Sequence, residues 1–319
     1  MTKTDHTFLT GYFPIQFEGN GKELFSILVK NFFLTVITLG IYYPWAKAKK
    51  MNYYYSNTKI FDTYFQFHGI GTEIFLGLLK ALGVFILLDF FYEGIIIGIF
   101  EKWTFYLIWI LYFLIFFLII IFASVGSRRY RMTRTSWRGI RFHFLGTVKE
   151  TSIIILKGWI LNLLSFGIYY PFYLNHFHSY WNSKTFFGKT NFSYFGNARE
   201  IFNIWIKGVI LTIMTFGIYF FWLRANMHRY FWNHTRYRKI KIYSHLRGAP
   251  LMKETIIFLF ISIITIGIGR AWAIVRYKKF FLETFSLEGE INLSEIMQSE
   301  EHLKGSAGEG MADLFDVEI

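Results

Sequence analysis

Thr38-Leu39-Gly40-Ile41-Tyr42-Tyr43-Pro44-Trp45 decides how this chain is organised, because the stretch returns. Phe166-Gly167-Ile168-Tyr169-Tyr170-Pro171, Phe216-Gly217-Ile218-Tyr219-Phe220-Phe221 and Ile266-Gly267-Ile268-Gly269 set the same Gly-Ile pair at intervals of 50 residues. A second element precedes each unit: Phe17-Glu18-Gly19, Phe67-His68-Gly69, Phe144-Leu145-Gly146 and Phe195-Gly196. Its glycines again lie 50 residues apart, from 19 to 69 and from 146 to 196. Recurrence at a fixed period indicates tandem duplication. The second unit is longer because an apolar insertion, Trp103 to Val125, takes the place of the Gly-Ile turn.

The repeat sits in strongly apolar surroundings. Of the 319 residues 54% are hydrophobic, 22% aromatic and only 17% charged, and the mean hydropathy is +0.34. A soluble chain of this size has no room to hide so much apolar surface, so the composition predicts a membrane protein. Trp103 to Val125 is free of charge and long enough to cross a hydrocarbon layer of about 30 Å. Glu73 to Tyr92, Leu24 to Trp45, Thr151 to Leu174, Ile201 to Leu223 and Thr255 to Val275 are similar but less pure. The expected fold is therefore an all-α integral membrane protein with about six transmembrane helices. Met1 to Phe17 has no basic stretch leading into an apolar core, so insertion is expected to use an internal segment. With no cysteine, disulfides, thiolate nucleophiles and Cys-zinc sites are excluded.

Charge divides the chain in two. From Ser286 onward nine acidic residues meet one lysine, Lys304, for a net −8. Residues 1 to 285 carry the remaining +21, so a basic membrane domain (1–285) and an acidic, mobile tail (286–319) are expected. The Lys and Arg residues adjoin apolar runs, which favours anionic lipid over nucleic acid as their counter-charge.

Two charged columns run through the repeat. Glu23, Glu73, Glu150 and Glu200 follow the second element's Gly by four residues, and Lys30, Lys80, Lys157 and Lys207 follow it by eleven. Seven residues return a helix to the same face about 10 Å further on. Thr147-x-x-Glu150 and Asn197-x-x-Glu200 read as capping boxes. Four lysines within apolar helices would cost about 2.5 to 3.5 kcal/mol each at mid-membrane. Either they snorkel toward headgroups, or they line a polar interior that holds an anionic group, which makes the lysines and glutamates the candidate substrate-binding set.

Aromatic, polar stretches follow the Gly-Ile turns, as in Lys47 to Tyr55, Leu174 to Trp181 and Arg224 to Trp232, and resemble interfacial helices. Phe61 to Phe67, Ile140 to Phe144 and Thr190 to Tyr194 alternate as short strands. If each Gly-Ile turn ends one crossing, links on one side (46–72, 126–150, 223–253) hold 19 basic residues and those on the other (1–22, 94–102, 173–199, 270–285) hold 10. The more basic side is then cytoplasmic. The rival arrangement makes each unit a helical hairpin with every strand in one shared sheet. It pairs strands that are unstable alone, but draws Lys47, Lys49, Lys50, Arg224 and Arg229 toward hydrocarbon.

Recognisable catalytic chemistry is sparse, and no enzyme activity is expected. Gly188-Lys189-Thr190 ends like a phosphate-binding loop, but Ser183 stands where its first Gly belongs. His176 and His178 diverge on a helix, which argues against a shared metal, and His228 and His234 are read likewise. Asp89 and Glu93 read as an acidic pair on one helix face. No cofactor is implied.

Phe17-Glu18-Gly19, Glu23-Leu24-Phe25, Thr38 to Lys47, Tyr55-Ser56-Asn57-Thr58 and Phe65 to Gly69 together resemble the YjgN family of bacterial inner-membrane proteins. The likeness extends through Thr135 to Phe142, Gly167 to Pro171 and Gly217 to Trp222, covering about residues 13 to 285. Departures are Phe172 and Phe221, where the first unit has Trp45 and Pro44, and Glu254, displaced in the last unit. The resemblance implies a multi-pass protein of the bacterial inner membrane and brings no catalytic residues with it. Two functions remain: a transporter or channel-like protein with a lysine-lined interior for an anionic solute or lipid headgroup, and a non-catalytic, lipid-interacting scaffold.

Overall fold

The computed structural model describes residues 8–96 and 102–292, and five related units follow one another along them. Each contains a helical hairpin: α1 (Gly21–Ile37) with α2 (Tyr43–Ser56), α3 (Gly71–Ile96) with α4 (Lys102–Thr133), and α5 (Val148–Leu164) with α6 (Tyr170–Ser183). The last two are α7 (Ala198–Met214) with α8 (Phe220–Asn233) and α9 (Gly248–Ile264) with α10 (Arg270–Glu283). Strands β1 (Phe8–Pro14) and β2 (Gln16–Phe17) lead into the first hairpin. Between hairpins lie β3 (Thr58–Ile60) and β4 (Thr63–Phe67), β5 (Thr135–Trp137) and β6 (Ile140–Phe144), β7 (Thr185–Phe187) and β8 (Thr190–Tyr194), β9 (Thr235–Tyr237) and β10 (Ile240–Ser244). Strand β11 (Phe285–Asn292) follows the last.

The Gly-Ile signature makes the hairpin tips. Gly40, Gly167, Gly217 and Gly267 take φ of 93, 86, 94 and 86°, which glycine alone adopts without strain. The residue before each (Leu39, Phe166, Phe216, Ile266) is itself left-handed at φ 49–50°, at a cost of roughly 1 to 2 kcal/mol. A hydroxyl then starts the second helix: the backbone N–H of Tyr42, Tyr169, Tyr219 and Gly269 donates to the side chain of Thr38, Ser165, Thr215 and Thr265 at 2.7–3.0 Å.

These tips overturn the all-α, six-crossing expectation. The apolar runs 24–45, 151–174, 201–223 and 255–275 each contain one tip, so none is a single helix. Helices α1, α5, α7 and α9 have 17 residues each, about 25 Å at 1.5 Å per residue. Among the described residues one helical stretch, Trp109–Thr133, is long and apolar enough to cross a membrane. The links also do not alternate between sides, because every strand joins one sheet in the order β1-β11-β10-β9-β8-β7-β6-β5-β4-β3-β2. All its neighbours are antiparallel.

Both ends of that ladder belong to the same piece of chain. Strand β2 pairs with β3 at one edge, β1 pairs with β11 at the other, and Ile15 alone separates β1 from β2. The Ile15 N–H donates to the Phe285 carbonyl at 3.1 Å, and the rings of Phe13 and Phe61 meet across the seam at 4.4 Å. The sheet is thereby curled into a nearly closed barrel. Ile60, Trp137, Ile140, Phe187, Tyr237 and Ile240, from strands spread around it, form one buried cluster that fills its inside. The helices close up too, each packing on its neighbours in sequence and α10 on α1.

Residues 286–292, expected to begin the acidic tail, belong to β11; the rest of that tail, 293–319, lies outside the described residues.

Candidate functional site

The two charged columns part company in the structure. Lys30, Lys157 and Lys207 are each exposed, on α1, α5 and α7, at equivalent places in successive units. No ion pair joins any of them to the glutamate column among the described residues, and they are not gathered around one cavity. Lys80 falls on α3, but its side chain lies outside the described residues, as does that of Glu93; Asp89 is exposed.

Three of the glutamates, Glu73, Glu150 and Glu200, instead fasten the base of their hairpins. Thr147 and Glu150 form a capping box, and Glu150 also accepts from Tyr180 Oη and Lys184 Nζ, both at 3.0 Å. Lys184 first, then Tyr180 and Thr147, hold the Glu150 carboxyl down at about 2. Glu73 accepts from the Ile70 N–H and pairs with the half-buried guanidinium of Arg134. Glu200 is no capping box: Asn197 caps α7 through the Arg199 N–H, and Glu200 accepts from Tyr230 Oη at 2.9 Å. Glu23 is exposed. The recurring partner is a tyrosine, since Tyr53 and Tyr130 also donate to the chain entering their own hairpin, at Asn20 O (2.7 Å) and Ile70 O (3.1 Å). Burial raises the Tyr53 and Tyr230 hydroxyls to about 12, so each stays a donor. The tyrosines recur at 130, 180 and 230, a spacing visible in the sequence but passed over.

A second column missed in the sequence joins unit to unit. The ninth residues of α6, α8 and α10 are His178, His228 and Lys278, and Arg128 is their counterpart 50 residues earlier on α4. Each lies against an aromatic ring on the second helix of the following hairpin. The Arg128 guanidinium stands 4.3 Å from the Trp181 ring, His178 stacks on Phe231 at 3.8 Å, His228 meets Phe281 edge-on at 5.1 Å, and the Lys278 ammonium lies 3.9 Å over Tyr54. Such cation–aromatic and stacked contacts contribute about 0.5 to 2 kcal/mol apiece, and here they form a belt around the ring of second helices. Burial, then the charge of Arg128, lowers His178 to about 4; burial, then Arg224 and His178, does the same for His228. Both are neutral at pH 7. His176 is exposed on the same helix as His178, and His234 bonds the Tyr230 carbonyl through Nδ1 at 2.8 Å. Gly188 and Lys189 form the turn from β7 to β8, so a strand follows them rather than a helix.

The tips are the most apolar exposed surface. Leu39, Phe166, Phe216 and Ile266 are 94, 96, 99 and 92% exposed, and Ile37, Leu163, Leu164, Ile213, Met214 and Ile263 around them are exposed as well. A hairpin tip that displays a large apolar side chain in a strained conformation has no use for it in water. Seven residues, about 10 Å of helix, separate Lys30 from Ile37, Lys157 from Leu164 and Lys207 from Met214.

Comparison with known proteins follows the repeat. The family described as "Bacterial protein of unknown function (DUF898)" matches residues 13–195, 189–239 and 232–314, reaching beyond the 13 to 285 expected. Proteins named "Inner membrane protein YjgN" are similar: that of Escherichia coli O157:H7 is 35% identical over 133 residues, 42% of this chain and 31% of the relative. The K12 protein is 32% identical over the same shares, and that of Salmonella typhimurium LT2 is 32% identical over 40% of this chain and 30% of its own length. The aligned part thus spans less than a third of these curated relatives. No solved structure matches the chain.

Proposed function

We propose that this chain, which belongs to the DUF898 family of bacterial proteins of unknown function, is a non-catalytic, lipid-interacting scaffold of the bacterial inner membrane. Four of its hairpins dip into one leaflet, and the long α3–α4 hairpin reaches across. The observation that carries this is the set of exposed apolar tips, together with the lysines about 10 Å behind them. Half of a 30 Å hydrocarbon layer is about 15 Å, so tips near mid-membrane leave Lys30, Lys157 and Lys207 at the headgroups, where snorkelling costs little. Lys47, Lys49 and Lys50 follow the tip on the descending helix by a similar distance and fall in the same band, which removes the penalty counted against hairpins. Anionic lipid is the fitting partner for that band. Arg138, Lys189, Arg238 and Lys239 at the barrel turns support a cytoplasmic barrel by the positive-inside tendency. The names of the Escherichia and Salmonella relatives support the location. An open conduit for solutes fits less well, because side chains fill the barrel.

The chain has no cysteine, so F216C or K239C alone provides a unique thiol. In oriented inner-membrane vesicles, a membrane-impermeant maleimide should modify K239C from the cytoplasmic face and leave F216C untouched from either face. Modification of F216C from the face opposite K239C would show that the tips emerge, and the one-leaflet reading would fail.

A further inference from the structure

Four junctions between second helices, α4–α6, α6–α8, α8–α10 and α10–α2, share one plan, and the last of them carries extra cations. Where α10 meets α2, the half-buried Lys50 of α2 and Lys278 of α10 feel one another's charge, and the exposed Lys47 of α2 and Arg270 of α10 act on Lys50 as well. The place of Lys50 is taken by Ser127, Phe177, Met227 and Tyr277 in the other units, and that of Arg270 by Tyr43, Ile120, Tyr170 and Phe220. Among the described residues no carboxylate pairs with any of the four. Beside Lys278 opens a groove of about 370 Å³ whose other walls are Phe258, Ile274, Tyr277, Phe281 and Leu282, all apolar apart from one phenol.

We infer that the α10–α2 junction is a binding site for an anionic phospholipid, its phosphate held by Lys50 and Lys278 with Arg270 and Lys47 beside them, and an acyl chain in the groove along α10. This rests on the lipid-interacting reading above and names its specific ligand. The physical argument is complementarity. Unpaired like charges in half-buried positions repel one another, and a phosphate accepts several charge-assisted hydrogen bonds at once. Burial first, and then Arg270 and Lys47, lower Lys50, while burial and then Lys50 lower Lys278. A phosphate reverses both effects. Lys278, whose ammonium lies 3.9 Å over Tyr54, also lines the groove. Headgroup and chain therefore have adjoining places, which a free phosphate would not need.

The test uses the purified full chain in detergent, with bound lipid read by native mass spectrometry and melting temperature read in parallel. Phosphatidylglycerol should bind saturably with a stoichiometry near one and raise the melting temperature, while phosphatidylcholine and inorganic phosphate should do neither. K50Q/K278Q should weaken phosphatidylglycerol binding about tenfold or more, and K50Q alone, which keeps the Lys278–Tyr54 contact, should melt no lower than the parent without lipid, because a repelling charge is gone. K30Q/K157Q/K207Q should keep the tight site. Equal protection by inorganic phosphate would make this a free-anion site and overturn the lipid assignment. A lower melting temperature for lipid-free K50Q would mean that this cation serves the fold, and would overturn it too. Loss of binding only in the K30Q/K157Q/K207Q variant would place lipid on the outer band, sinking this site while leaving the scaffold reading intact. Aqueous exposure of F216C would sink the scaffold reading itself.

Discussion

Phe216→Asn separates a tip in lipid from a tip in water by the sign of its effect. Phe216 has φ 50° and is almost fully exposed in the isolated chain. Asparagine tolerates that conformation, so the exchange recovers roughly 1 kcal/mol of backbone strain. In water little opposes this, and the variant should be more stable by about that amount. In hydrocarbon the exchange forfeits the burial of a phenyl ring, about 1.5 to 3 kcal/mol, and leaves a side-chain amide poorly paired, about 1 to 3 kcal/mol more. The net is a loss of roughly 2 to 5 kcal/mol. Melting in nanodiscs containing phosphatidylglycerol, read against the parent, is the assay, with F166N as an independent copy on the preceding hairpin. Stabilisation of both variants in nanodiscs would refute the insertion of the tips.

Other predictions concern the base and the belt. His178 and His228 have folded pKa values near 4, below an ordinary 6.5, so the unfolded chain takes up their protons first as pH falls. Their contribution is complete above pH 6.5 and is lost toward pH 4, roughly 3 kcal/mol for each; denaturant titrations of H178F across that window should show a shallower pH slope than the parent. Gly208→Ala would place a Cβ 2.3 Å from Leu223 Cδ1, and overpacking of that kind costs about 1 to 3 kcal/mol, measurable as a lower melting temperature, whereas Gly77→Ala meets nothing within 4 Å and should be neutral or better. Glu73→Gln unpairs the half-buried Arg134 and should cost about 1 to 3 kcal/mol, against little for Glu23→Gln at its exposed place; unequal melting shifts in that order are the check.

The repeat was legible in the sequence because its constraints are local. A glycine at positive φ and a hydroxyl five residues before the second helix have to sit in the tip itself, so they recur with the period. Strands β6 and β8 begin and end where alternation puts them, at Ile140–Phe144 and Thr190–Tyr194. The cap at Thr147 and Glu150 was equally plain. What misled is hydropathy, which averages across a tip: Leu24 to Trp45 reads as one apolar span although the chain reverses at Gly40. The tyrosine clamps escaped because Tyr180 and Glu150 are 30 residues apart and meet only once the hairpin has closed. The belt escaped for a further reason. Arg, His, His and Lys at one column look like four different residues until the ring facing each, three places on in the next unit, is seen.

The pairing of β1 with β11 sets the order in which the molecule can be completed. Strand β1 leaves the ribosome long before its partner, residues 285–292, has been made, and all five hairpins lie between them in the chain. Until β11 arrives the ladder has two raw edges, and raw edges recruit whatever strand is nearest. Strands β1 and β11 thus act as a clasp. A chain shortened by one unit keeps both halves of the clasp but changes the circumference they must close, so it faces a strained smaller ring or exchange of β11 with a neighbouring copy. Variation in unit number within such a protein is therefore tied to assembly, and the long α3–α4 insertion, which lengthens a hairpin without adding a strand, leaves the circumference unchanged.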